Sequence, residues 1–232
     1  MKAIVLVLFM LVASSHTASS QVKKDRTVSG FTGLSVTSGI DVYLTQGNSE
    51  KLTLDIKGMD EDQIVSRVRN GVLELYIDRK GMNWGSNRGN SIKAYITFKQ
   101  LTNLQAGGGS DVFGQGTLSF NDLNLDVSGG SDLKLELKAE RLNVSASGGA
   151  DALLQGSART LNASGSGGSD LDARKLIAET CNATSSGGSD VYVNASKEMS
   201  LKASGGSDIY YYGQGRVLAS SKSGGSDIQR RD

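Results

Sequence analysis

The sequence contains no proline, one cysteine and one histidine. Each shortage excludes something. Without proline every residue keeps a backbone N–H, which suits a chain whose segments must all donate to a hydrogen-bonded ladder. Cys181 has no second cysteine to pair with, so no intrachain disulfide forms. The one histidine, His16, lies in an N-terminal stretch that reads as removable. A mature chain without it has no Ser-His-Asp or Cys-His machinery and no histidine-bound zinc. Charge of one sign is also lacking. Residues 1–20 hold Lys2 and no acidic residue, so the remaining chain carries 24 basic and 24 acidic side chains. That balance argues against a nucleic-acid partner.

Long apolar runs are equally scarce. Met1-Lys2-Ala3 leads into an apolar stretch from Ile4 to Val12, followed by small and polar residues up to Gln21. A basic start, a short apolar core and small residues mark a secretory signal peptide over residues 1–20, too short an apolar run to span a bilayer well. No cysteine follows that run, which rules out a lipid-modified N-terminal cysteine. No later segment is apolar enough to cross a bilayer, so the mature chain is expected to be exported and free of membrane insertion. Periplasm, outer cell surface and medium all remain open as destinations.

What the chain has in abundance is repetition. Gly108-Gly109-Ser110-Asp111 is followed by Gly129-Gly130-Ser131-Asp132, Gly148-Gly149-Ala150-Asp151 and Gly167-Gly168-Ser169-Asp170. Gly187-Gly188-Ser189-Asp190, Gly205-Gly206-Ser207-Asp208 and Gly224-Gly225-Ser226-Asp227 complete seven copies, with aspartates 21, 19, 19, 20, 18 and 19 residues apart. Residues on both sides of each copy alternate apolar and polar. Leu133, Leu135 and Leu137 are separated by Lys134 and Glu136, and Leu142-Asn143-Val144-Ser145-Ala146 alternates likewise. A period of two is the signature of strands. Each repeat therefore reads as strand, tight glycine turn, strand and return loop.

Such a unit cannot bury its own apolar face, and stacking the copies solves that. The expected fold is all-β: a right-handed parallel β-helix, or β-solenoid, with coils of about 19 residues, spaced about 4.8 Å apart. The glycine pairs are expected at the corners with positive φ. Ala146, Ala163, Ala183 and Ala203 point to a thin core. The division is residues 1–20 as signal peptide, 21–105 as a β-rich region that caps or starts the solenoid, and 106–232 as seven repeat coils. In the middle region strands are expected at Leu34–Val36, Asp41–Thr45, Leu52–Ile56, Val72–Ile77 and Ile92–Phe98. Asp60–Arg69 reads as a short helix or connecting turn, Met82–Asn90 as an exposed loop, and Ser38-Gly39-Ile40-Asp41 as a degenerate eighth corner.

Phe31-Thr32-Gly33-Leu34-Ser35-Val36, then Ser38-Gly39-Ile40-Asp41-Val42-Tyr43-Leu44, then the GGSD series, resembles the auto-transporter adhesin head family with the GIN domain, from about Val28 onward. Gly39-Ile40-Asp41 stands where that family has Gly-Ile-Asn, and both residues serve turns. The resemblance implies an exported β-solenoid of Gram-negative bacteria, an adhesive role and no catalytic residues to carry over.

In stacked coils Asp111, Asp132, Asp151, Asp170, Asp190, Asp208 and Asp227 form a column. Two readings compete. Calcium takes several carboxylate and carbonyl oxygens, but the nonapeptide GGxGxD of calcium-binding rolls is missing. The favoured reading is that each Asp accepts hydrogen bonds from the amides of its own turn, with no cofactor. Tyr192 and Tyr210 share a place two residues after an aspartate, with Tyr212 nearby. They are candidates for a sugar-stacking platform, or a cross-strand aromatic pair that stabilises the sheet. Trp84 is a candidate loop-tip contact or simply an anchor. Asn124, Asn143, Asn162 and Asn182 suggest an amide ladder, with Lys202 in the fifth place. That ladder also explains the Asn-x-Ser/Thr triplets. Cys181 falls in a column with Leu123, Leu142, Leu161 and Leu201, which makes it a core residue.

Three functions follow from these residues. The first is a non-catalytic, adhesin-like binding protein whose partner is a surface glycan or protein. The second is a carbohydrate-active enzyme, which needs a carboxylate pair or calcium with a basic residue at one place; Asp172, Arg174 and Lys175 are too few for that. The third is a structural or sensory component of the periplasm. Ligand identity and oligomeric state are not written in the sequence.

Overall fold

The computed structural model describes residues 21–79 and 90–232. The expected signal peptide and Trp84 lie outside the described residues. Among those described, the chain is a parallel β-solenoid. Nine strands build the N-terminal half: β1 (Gln21–Arg26), β2 (Gly33–Val36), β3 (Asp41–Gln46), β4 (Lys51–Lys57), β5 (Ile64–Arg69), β6 (Val72–Ile77), β7 (Ser91–Phe98), β8 (Asn103–Ala106) and the first long one, β9 (Val112–Ser128). The repeats continue as β10 (Asp132–Gly148), β11 (Asp151–Gly167), β12 (Asp170–Gly187), β13 (Asp190–Gly205), β14 (Asp208–Tyr212), β15 (Arg216–Gly224) and β16 (Asp227–Arg230).

From β9 to β16 every neighbour pair is parallel, and the repeats lie in register. Asp132 faces Asp151, Asp170 faces Asp190, and Asp190 faces Asp208. The return leg is not a loop. β10 runs unbroken through Lys138, Ala139 and Arg141 and stays paired with Ser157, Ala158 and Thr160. An alanine recurs inside this bend, at Ala139, Ala158, Ala178 and Ala195. So small a side chain lets the two sheets approach without opening the ladder.

Inward columns form the core. One passes through Leu34, Leu104, Leu125, Val144, Ala163, Ala183 and Leu201, and another through Val42, Val112, Leu133, Ala152, Leu171, Val191 and Ile209. All of them are buried. Burying a Val or Leu side chain contributes about 1.5–3 kcal/mol, so the columns supply the main stabilising term for coils that could not fold singly. Cys181 is buried, as expected, but the next coil of its column holds Met199, and Leu201 lies against Ala183. Counting from the glycine corner, rather than matching leucines, gives this register.

The N-terminal half departs from chain order. β2 and β3 make one coil around Ser38-Gly39, both with positive φ. β6 and β7 lie on one side of that coil, and β8 and β9 on the other. The Ser38–Asp41 segment is thus an eighth corner, with Asp41 extending the aspartate column. β7 then pairs antiparallel with β4, and β4 with β1. On the other sheet β5 pairs antiparallel with β6. Antiparallel strands close this end by ending the stack of coils. Asp60–Arg69 is a single 3-10 turn, Glu61–Gln63, followed by β5. The signal for β5 was Asn70-Gly71, both at positive φ, the two-residue turn that a right-twisted hairpin requires. At the C-terminal coil the inward places opposite Leu201 and Ala203 hold Ser220 and Lys222.

Candidate functional site

The corners divide into two kinds. Gly108, Gly109, Gly129 and Gly130 all have positive φ, as does the first glycine of each of the five later pairs. Gly149, Gly168, Gly188, Gly206 and Gly225 do not, which corrects the expectation for those five. In three of these later corners the second glycine donates to the coil before: Gly168 N–H to Gly148 O, Gly188 N–H to Gly167 O and Gly206 N–H to Gly187 O, each at 2.7 Å. The change falls where Ala150 replaces serine. In the early corners the Ser110 N–H donates to Ser131 Oγ at 3.1 Å, a bond from one coil to the next. Ala150 has no oxygen to continue that chain.

The GGSD serine is the residue whose role the sequence reading missed. It is buried in the corner column, and its hydroxyl does the work expected of the aspartate. Ser169, Ser189, Ser207 and Ser226 each accept the N–H of the residue three earlier, at 3.2–3.3 Å. Ser189, Ser207 and Ser226 also donate back to that residue's carbonyl at 2.8–3.0 Å. Satisfying buried polar groups in this way avoids a desolvation cost of about 1–3 kcal/mol for each group.

The aspartates instead reach along the solenoid. Asp132 N–H donates to Asp111 Oδ1 at 3.1 Å, and Asp227 N–H to Asp208 Oδ1 at 3.0 Å. Partial burial, then the carboxylates above and below, raises the pKa of Asp132 and Asp170 above the ordinary range. Burial and Asp111 do the same for Asp41, against the pull of Lys93. Asp227 is lowered instead, by hydrogen bonds from Gln229, Lys222 and the Ile228 amide. Among the described residues no group of three His, Cys, Asp or Glu is placed to hold a metal ion.

Two residues after the aspartates lies an outward column with an aromatic stretch toward each end. Tyr95, Tyr43 and Phe113 stack with centroids 5.1 and 5.4 Å apart. Lys134, Leu153 and Asp172 follow, then Tyr192 and Tyr210, stacked 4.9 Å apart with planes 18° from parallel. Tyr43 and Phe113 were legible at the same offset from Asp41 and Asp111. The tyrosine faces are largely occupied. Arg174 lies 4.3 Å from the centre of Tyr192 and 5.9 Å from that of Tyr212, and Arg231 lies 4.9 Å from Tyr210. Asp172 anchors Arg174 at 2.8 Å, and Tyr210 donates to Asp208 at 3.1 Å. A sugar ring would stack on either tyrosine only after displacing an arginine.

The other sheet carries the asparagine ladder. Asn124 donates to Asn103 Oδ1 at 3.0 Å, Asn143 to Asn124 at 2.7 Å, Asn162 to Asn143 at 2.7 Å and Asn182 to Asn162 at 2.9 Å. Asn103 extends the ladder beyond the expected members, and Ser200, not Lys202, lies opposite Asn182. Beside the ladder runs a shallow groove of about 460 Å3. Exposed ion pairs join neighbouring coils elsewhere, among them Arg141–Asp122 at 3.1 Å and Lys197–Glu179 at 2.7 Å.

A rigid solenoid with outward columns repeated once per coil defines a scaffold of the extended-surface class. The chain belongs to the family described as "putative auto-transporter adhesin, head GIN domain", whose model matches residues 30–215. Solved structures share the fold. A protein named a putative adhesin from Bacteroides fragilis NCTC 9343 superposes with a TM-score of 0.83 at 22% identity, covering 92% of this chain and 98% of its own. One named a putative adhesin from Parabacteroides merdae ATCC 43184 gives 0.72 at 17% identity, over 91% of this chain and 96% of its own. One named a putative lipid binding protein from Parabacteroides distasonis ATCC 8503 gives 0.69 at 16% identity, over 90% and 96%. No curated protein matches the chain.

Proposed function

We propose that the protein is an exported, non-catalytic binding protein of the cell envelope or surface, adhesin-like in action. The observation that carries this reading is the way outward polar side chains are tied to their counterparts one coil away. The asparagine ladder, the aspartate-to-amide bonds and the ion pairs all hold a repeated surface in one conformation. A fixed surface with one contact set per coil suits a ligand that also repeats, because little side-chain entropy is lost on binding. Membership of an adhesin family supports the same reading.

Beads coated with the purified chain should be retained on surfaces of immobilised glycoprotein or glycan, while uncoated beads wash away. Equal loss of both kinds would refute adhesion. Incubation with polysaccharides should release no new reducing ends and no unsaturated products; either one would make the protein an enzyme. Protease treatment of intact producing cells should degrade the protein if it is displayed, and spare it if it is periplasmic.

A further inference from the structure

We infer that the groove beside the asparagine ladder is a binding site for a neutral, linear glycan lying along the solenoid axis, about one sugar to each coil. The inference rests on the binding role proposed above and adds the ligand class and its place. Three features lead to it.

The first is the hydrogen-bonding capacity that the ladder leaves over. A side-chain amide has two N–H donors and an oxygen with two lone pairs. In Asn143 and Asn162 the ladder takes one N–H and one lone pair. Each therefore keeps a donor and an acceptor, which is what a hydroxyl group, itself both donor and acceptor, can use. The ladder also fixes the amide orientation, so the site is preorganised.

The second is spacing. The ladder repeats once per coil, at about 4.8 Å, close to the advance of an extended hexose chain per sugar. Five asparagines on successive coils give room for about five sugars. An extended peptide advances two residues between equivalent side chains, a longer step of about 6.6–6.8 Å, and drifts out of register.

The third is charge. Asp126 is the one charged residue among those that line the groove, and the nearest cation in its columns is Lys202, one coil beyond its end, opposite Thr184. Opposite the asparagines stand Ser145, Ser164 and Thr184, small hydroxyl side chains. Along its length such a site offers no cation to hold an acidic polysaccharide or a phosphate headgroup.

The test uses the whole mature chain and soluble neutral β-glucan oligosaccharides of two to eight sugars, with oligogalacturonates of equal length as the charged comparison. Calorimetric titration should show affinity rising with length and levelling at about five sugars, with at least tenfold weaker binding of the acidic series. Ser145→Arg fills the groove midway, beside Asp126 on the adjoining coil. It should weaken glucan binding at least tenfold without lowering the melting temperature. Ser164→Gln is the neutral alternative, since Gln105 already occupies that column. Full binding by both folded variants would overturn the site. Binding of the acidic series at equal strength would overturn the ligand class. Absence of binding to neutral glucans, mannans and galactans alike, with coated beads still retained on glycoprotein, would overturn the glycan assignment and leave the adhesive role standing.

Discussion

Tyr192 and Tyr210 stack 4.9 Å apart on successive coils, and an arginine lies over each ring, Arg174 on one and Arg231 on the other. The four side chains act as one clamp on the last coils, where the stack has fewer neighbours to support it. Aromatic pairs add about 0.5–1.5 kcal/mol beyond burial, and an exposed cation–π contact about 0.5–1 kcal/mol. Tyr192→Ala is expected to lower stability in urea by about 1–2.5 kcal/mol from these two terms and to leave glycan affinity unchanged. A lost affinity with stability intact would make the tyrosines a ligand platform after all.

The aspartate column gives an inverted acid response. Asp132 and Asp170 have folded pKa values above the ordinary carboxylate range because they are partly buried and flanked by other carboxylates. Between the unfolded and folded values the native state binds more protons than the unfolded chain, so stability falls as pH rises through that window and returns on acidification. Asp227 is lowered and works in the opposite direction. The measurable quantity is therefore a difference: Asp170→Asn should be more stable than the parent at pH 7, and the gap should narrow as the pH falls toward the ordinary carboxylate value. A gap that widens on acidification would contradict the origin of the shift. Added salt should narrow the gap at pH 7 in the same way.

The solenoid was legible because its signal is counted: seven aspartates at nearly constant spacing, with apolar residues in alternation. The corner column was legible in position but not in role. Ser and Asp sit side by side in six of the seven turns, and their sequence does not say which oxygen meets the turn amides. Burial decides it, since only the serine points inward. The place of Lys202 went astray because leucines were aligned in a coil shortened to 18 residues, where distance from Gly205 is the surer guide. Strand β5 was hidden because Ile64-Val65-Ser66-Arg67-Val68-Arg69 lacks strict alternation, and its one cue, the Asn70-Gly71 turn, was passed over. The reversed order of β6–β7 and β2–β3 is a matter of topology that no local pattern encodes. The groove depends on two columns from the same sheet standing beside each other, which becomes visible only once the register is known.

The two glycines of one corner should differ sharply in tolerance. Gly167 has φ of 75°, and a Cβ there would meet Gly148 N and O at 3.1 Å. Gly168 has no such φ, and its nearest contact would be Gly148 O at 3.6 Å. Gly167→Ala combines left-handed strain of about 1–2 kcal/mol with a tight contact that requires the Gly148 backbone to give by a few tenths of an ångström. Gly168→Ala should be neutral, or gain about 0.4–1 kcal/mol from a stiffer unfolded chain. Urea denaturation of the two variants separates them, and equal losses would show that both positions need glycine.

Cys181 is packed between Leu161 and Met199 in the core, and burial pushes its thiol pKa up to about 12. Thiolate, not thiol, reacts with alkylating and disulfide reagents. At pH 8 the folded protein should therefore leave Cys181 unmodified, while the unfolded chain, with a thiol pKa of about 8.5, reacts readily. Labelling followed across a urea gradient should rise together with the loss of strand circular dichroism, since the thiol becomes available only when the coils separate. Labelling that runs ahead of the unfolding transition would mean that the repeats around Cys181 open locally, and that the solenoid unravels coil by coil rather than as one cooperative unit.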